Sequence, residues 1–61
     1  MDKAYTFRVQ VKALNGSLTE EKHTVNEQDT QFGESFACGK VVRFYDGLKA
    51  EKKIKDYRLL F

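Results

Sequence analysis

The stretch that decides the fold is Tyr5-Thr-Phe-Arg-Val-Gln-Val-Lys-Ala13, followed at once by Leu14-Asn15-Gly16. Tyr5, Phe7, Val9, Val11 and Ala13 alternate with Thr6, Arg8, Gln10 and Lys12. A period of two in aromatic and β-branched residues is the mark of a strand buried on one face. Asn-Gly accepts the positive φ angles of a type I′ turn, so a hairpin is expected to follow. Its register is open. A two-residue loop pairs Val11 with Glu20 and Val9 with Lys22, which sets charges on the apolar face. A three-residue loop with a bulge pairs Val11 with Thr19 and Tyr5 with Val25. In either register the second strand, about Ser17 to Val25, is weakly apolar and suits a sheet edge.

Beyond the hairpin, Asn26-Glu-Gln-Asp29 has the residues of a helix start. Asn26 or Asp29 can accept from free backbone amides, and the acids suit the positive end of the helix dipole. The helix is expected to reach about Leu48, with Gly47 as its stop. Gly33 and Gly39 oppose helix, and Gly33 marks either its true start or a break. Ile54, Tyr57, Leu59 and Phe61 predict a third strand within Lys52 to Phe61. The expected fold class is therefore α+β, in the order β-β-α-β, with the helix packed on a three-stranded, mainly antiparallel sheet.

A chain of 61 residues implies one domain over 1–61. Domains of this size bury little surface, which favours a homodimer. Cys38 and His23 are the only cysteine and histidine, so a disulfide or a Cys/His metal centre is not expected, and no cofactor is implied. His23 has no evident nucleophile beside it, and Cys38, between Ala37 and Gly39, reads as a packing residue. Gly33 and Gly39 lack the spacing of a phosphate loop. Binding is thus expected in place of catalysis. No run of about 20 apolar residues suggests a membrane span. The opening residues lack a secretion pattern, and a cytoplasmic location is expected.

Charge is segregated around a net of +2. Glu20, Glu21, Glu27, Asp29 and Glu34 face one base, Lys22, in their stretch; seven bases from Lys40 to Arg58 oppose three acids. Either pattern is compatible with solvated faces or with steering of a partner. On a helical wheel counted from Phe32, Ala37, Val41, Phe44, Tyr45 and Leu48 cluster at roughly 120° to 220° and form the sheet-facing stripe. Phe32 and Phe36 fall on the opposite side. They mark a binding surface, or the helix starts later and Phe32 tucks under the hairpin as core, or both seal a dimer. With Glu27, Asp29 and Glu34 nearby, an aromatic knob in an acidic setting suits a basic protein with an apolar feature. A nucleic-acid enzyme that inserts a side chain between bases has that chemistry.

In these respects the chain resembles the small uracil-DNA glycosylase inhibitors of protein-primed Bacillus phages. The resemblance rests on the Asn15-Gly16 hairpin, on His23, and on Thr30-Gln-Phe-Gly-Glu-Ser-Phe36. It rests also on the mixed segment Ala50-Glu-Lys-Lys-Ile-Lys-Asp-Tyr-Arg-Leu-Leu-Phe61. It implies a dimer in the host bacterial cytoplasm that covers the DNA-binding face of host uracil-DNA glycosylase. Phe32 and Phe36 would trap the enzyme's DNA-inserting side chain, and Glu34, Asp29 and Glu27 would meet its groove. A less gapped alignment makes Phe36 the leading aromatic. The family is acidic, whereas this chain is basic, so mimicry of DNA by bulk charge is not implied. The competing reading is direct nucleic-acid binding by Lys49, Lys52, Lys53, Lys55 and Arg58. A third is inhibition of another host nucleic-acid enzyme.

Overall fold

A computed structural model describes all residues, Met1–Phe61. The order is β1 (Asp2–Lys12), β2 (Leu18–Gln28), α1 (Gly33–Ala50) and β3 (Asp56–Leu59). The strands form one antiparallel sheet in the order β2-β1-β3. The α+β, β-β-α-β expectation is met. β1 is central because it is the strand with an unbroken apolar face. β2 and β3 are parallel to each other on either side of it, so α1 must carry the chain across the sheet.

The core is small and two-layered. Phe7, Val9 and Val11 of β1 meet Ala37, Val41 and Tyr45 of α1, all six at most 6% exposed. Tyr5, Val25, Leu48, Ile54, Tyr57 and Leu59 pack around them. Two tyrosines fasten the helix to both edges of the sheet. The Tyr45 hydroxyl donates to Glu21 Oε1 of β2 at 3.0 Å. The Tyr57 hydroxyl of β3 donates to Asp46 Oδ1 at 2.7 Å. Their rings stack at 5.4 Å beneath the helix.

The hairpin takes the bulged register. Val11 pairs with Thr19 and Tyr5 with Val25. The Ala13 amide donates to the Ser17 carbonyl, and the Gly16 amide to the Ala13 carbonyl, at 2.8 and 2.9 Å. That closes a three-residue loop, Leu14-Asn15-Gly16. Gly16 has φ +89°, and Asn15 does not have a positive φ, so the turn is not type I′. Asn15 instead accepts from the Ser17 amide and hydroxyl through Oδ1. This register is the one that leaves Lys22 and Glu20 on the face away from the helix.

Two boundaries differ from the sequence reading. The helix starts at Gly33, the later of the two starts the sequence left open, and not near Asn26, and it has no side-chain cap. Asn26–Gln28 continue β2, because their backbone groups find ladder partners opposite Ala4, Lys3 and Asp2. A strand pair already formed outweighs local capping propensity. Gly33 sits where the helix start passes closest to the sheet. A Cβ there would collide with the Gln28 carbonyl oxygen and lie 2.7 Å from the Tyr5 hydroxyl. At the other end the helix passes through Gly47 and stops after Ala50. Lys53 donates to the Leu48 carbonyl and Lys52 to the Lys49 carbonyl, with Lys52 at φ +59°. This is a Schellman termination with lysine in the place glycine prefers. It consumes residues expected in the third strand, which is only Asp56–Leu59.

Candidate functional site

Three large aromatics of α1 and its N-cap are at least half exposed. Phe32 is 57%, Phe36 61% and Phe44 50% exposed. Phe36 follows one helical turn after Phe32, and Phe44 two turns after Phe36. Of the three arrangements left open, burial of Phe32 under the hairpin is excluded: it does not belong to the core. Phe44 was expected on the sheet-facing stripe, and this is corrected. It lies on the shoulder of that stripe toward β2. There His23 fills the nearer space, its ring 4.8 Å from that of Phe44 and 5.6 Å from that of Tyr45. Phe44 is therefore covered on one side and open on the other.

The three acids differ in their state. Glu34 is exposed in the first turn of α1. Asp29 is exposed in the bend after β2, its amide donating to the Met1 carbonyl at 3.0 Å. Glu27 is engaged. Its carboxylate accepts from Lys40 Nζ of α1 at 2.6 Å and retains only 18% side-chain exposure. The hydrogen bond from Lys40, with a further one from the Gln28 amide, holds the Glu27 carboxyl below its ordinary value. Glu27 thus ties the helix to β2, while Asp29 and Glu34 remain open to solvent.

Two features of this surface escaped the sequence reading. Phe44 adds a third exposed aromatic, which its angle on the helix had placed with the sheet-facing stripe. Gly39 and Gly47 also lie on the helix's outer side. A Cβ at either would meet nothing within 4 Å. They cost helix stability, and no neighbour within the chain requires the missing side chain.

His23 and Cys38 sit on opposite shoulders of the helix. His23 packs with Phe44, whereas half-buried Cys38 packs toward the core on the Tyr57 side. They do not share a cleft. No group of three His, Cys, Asp or Glu side chains gathers to hold a metal ion. No helix is long and apolar enough to cross a membrane. In the basic segment, Lys49 pairs with Asp56 at 3.3 Å and Lys53 with Glu51 at 3.1 Å. Those two cations are partly neutralised, and the segment is not a uniform basic run. In comparisons with protein-family models, curated proteins and solved structures, nothing matched this chain.

Proposed function

We propose that this chain is a protein-binding inhibitor that docks through the aromatic side of α1 onto the DNA-binding face of host uracil-DNA glycosylase. The observation that carries the reading is the exposure of Phe32 and Phe36 one turn apart on the outer side of the helix start, with half-exposed Phe44 on the adjoining shoulder. Aromatic side chains that large lose much of their burial energy to water unless a partner covers them. They are also the residue type that dominates binding energy at protein interfaces. Phe32 and Phe36 grip the side chain that the enzyme normally inserts into DNA. Asp29 and Glu34 meet basic residues at the rim, and Glu27 contributes by positioning Lys40 and the helix. A second copy of the chain completes the trap, so the working form is a homodimer without catalytic activity of its own.

The test is a glycosylase assay on uracil-containing DNA with excess protein. Inhibition is expected. Phe36→Ala and Phe32→Ala should each weaken it by about 30-fold, corresponding to about 2 kcal/mol for an interface anchor. Changes at Lys52 and Lys55 should leave it within a few-fold. Undiminished cleavage sinks the proposal. Loss that follows the lysines and spares the phenylalanines moves the site.

A further inference from the structure

The helix covers only one face of the sheet, and the other face has an excess of bases at the end where Arg8, Lys22 and Arg58 meet. Its outward side chains alternate with the buried Phe7, Val9 and Val11. Arg8 of β1 stands directly opposite Lys22 of β2, and Arg58 of β3 stands opposite Gln10 one pair further along. Lys12 completes the group. Like charges directly opposite on one face weaken a sheet, and the fold gains no internal contact from Lys22. Of these four cations only Arg8 meets an acid, Glu20, at the 4.0 Å limit of an ion pair. Two further acids share this face: Asp2, at the far end of β1, and Asp56, which stands opposite Lys12 and is engaged by Lys49 from the end of the helix. An open groove of about 220 Å³ lies at the same end of the face, with Gln10, Lys12 and Arg58 among its lining residues.

We infer that this open face binds double-stranded DNA. Strands about 4.8 Å apart place Lys22 and Arg58 on the order of 10 Å apart across the sheet. That is close to the major-groove width of about 12 Å, so the two cations can address phosphates on both sides of the groove. Arg8 and Gln10 of β1 lie between them, and Gln10 is an uncharged donor and acceptor for base edges. The face offers no stacking platform for unpaired bases. The strand aromatics Tyr5, Phe7 and Tyr57 all lie on the helix side. A duplex is therefore favoured over a single strand, which such surfaces hold through aromatic stacking. The surface is on the opposite side of the molecule from Phe32 and Phe36 and does not depend on the glycosylase reading.

Fluorescence anisotropy with a short labelled duplex at low salt tests the inference on the full chain. Binding is expected, with a slope of log affinity against log salt of about −3 for three or four phosphate contacts. Arg8→Ala/Lys22→Ala/Arg58→Ala should weaken binding at least about tenfold at low salt. Single Lys22→Ala should reduce the slope by about 1 and decides the matter if circular dichroism finds the triple variant unfolded. Lys52→Ala/Lys53→Ala should bind as the parent does. Absence of binding at low salt, equal loss in the Lys52/Lys53 variant, or tighter binding of single-stranded DNA overturns the inference. Arg8→Ala/Lys22→Ala/Arg58→Ala should leave glycosylase inhibition intact and Phe36→Ala should leave DNA binding intact, so the two proposals fail separately.

Discussion

At Lys52 a single residue carries the cost of ending the helix. It adopts φ +59°, a conformation that glycine takes freely and a side chain with a Cβ resists. The two hydrogen bonds that close the helix, from Lys53 to Leu48 and from Lys52 to Lys49, require it. Lys52→Gly should therefore stabilise the fold by about 0.5–1 kcal/mol, the relief of left-handed strain less the entropy of a freer unfolded chain. Urea denaturation reads the change as a higher midpoint at unchanged slope. A lower midpoint would show that the lysine side chain supplies more than its backbone loses. Gly33 presents the reverse case. Its missing side chain is needed because Tyr5 and Gln28 occupy the space, whereas Lys52 merely tolerates its conformation.

At the scale of the element, α1 is divided lengthwise. Ala37, Val41 and Tyr45 make its inner stripe, four residues apart each time, and small side chains near the start let the helix descend onto the sheet. Its two shoulders are pinned by polar contacts of Glu27 with Lys40 and of Asp46 with Tyr57. The outer side holds the exposed aromatics together with Gly39 and Gly47. Gly39→Ala and Gly47→Ala have open space for the new methyl group. Each should raise stability by up to about 1 kcal/mol through helix propensity alone. If the outer side docks closely against a second copy or an enzyme, the same substitutions should reduce inhibition while thermal stability rises. Gains in both quantities would place the docking elsewhere.

For the molecule as a whole, stability should depend on pH at both extremes. Burial, with hydrogen bonds to Glu21 and Asp46, pushes the Tyr45 and Tyr57 hydroxyls from 10.0 up to about 12. A raised folded-state value means that the folded state holds its proton more firmly than the unfolded chain. The stabilisation is complete below about pH 10 and is lost as pH rises toward about 12. Tyr45→Phe should flatten this alkaline limb, as followed by melting temperature against pH. An alkaline limb as steep as the parent's would place its origin elsewhere. The carboxyls of Glu27 and Asp56 are held low by Lys40 and by the Tyr57 amide with Lys49, respectively. Their contribution is present above the ordinary carboxylate range and fades as pH falls through it. Because these pairs are exposed or partly so, the acid limb should be shallower than the alkaline one.

The alternation from Tyr5 to Val11 was enough to specify a half-buried strand and a hairpin, because side-chain direction in a strand depends only on parity. The sheet-facing set Ala37, Val41 and Tyr45 was legible for the same kind of reason, since helical periodicity is local. Which loop closes the hairpin was not legible. Both registers satisfy Asn15-Gly16, and only burial of the whole β1 face, with His23 and Val25 drawn under the helix, selects the bulged one. Of the two helix starts the sequence allowed, Asn26–Asp29 fails although Asn26 and Asp29 have capping side chains, because their backbone partners are Ala4 and Met1 at the far end of the chain, and Gly33 is the start. Phe44 looked interior from its angle on the helix and is half-exposed because His23, from another strand, occupies the nearer space. The aromatic side of α1 was thus readable as a candidate surface from spacing. Its acids could not be ranked from spacing: Lys40 neutralises Glu27 only because the fold lays the helix across β2. The cationic end of the open sheet face was invisible in the charge runs, since Arg8, Lys22 and Arg58 are far apart in sequence and meet only through strand pairing.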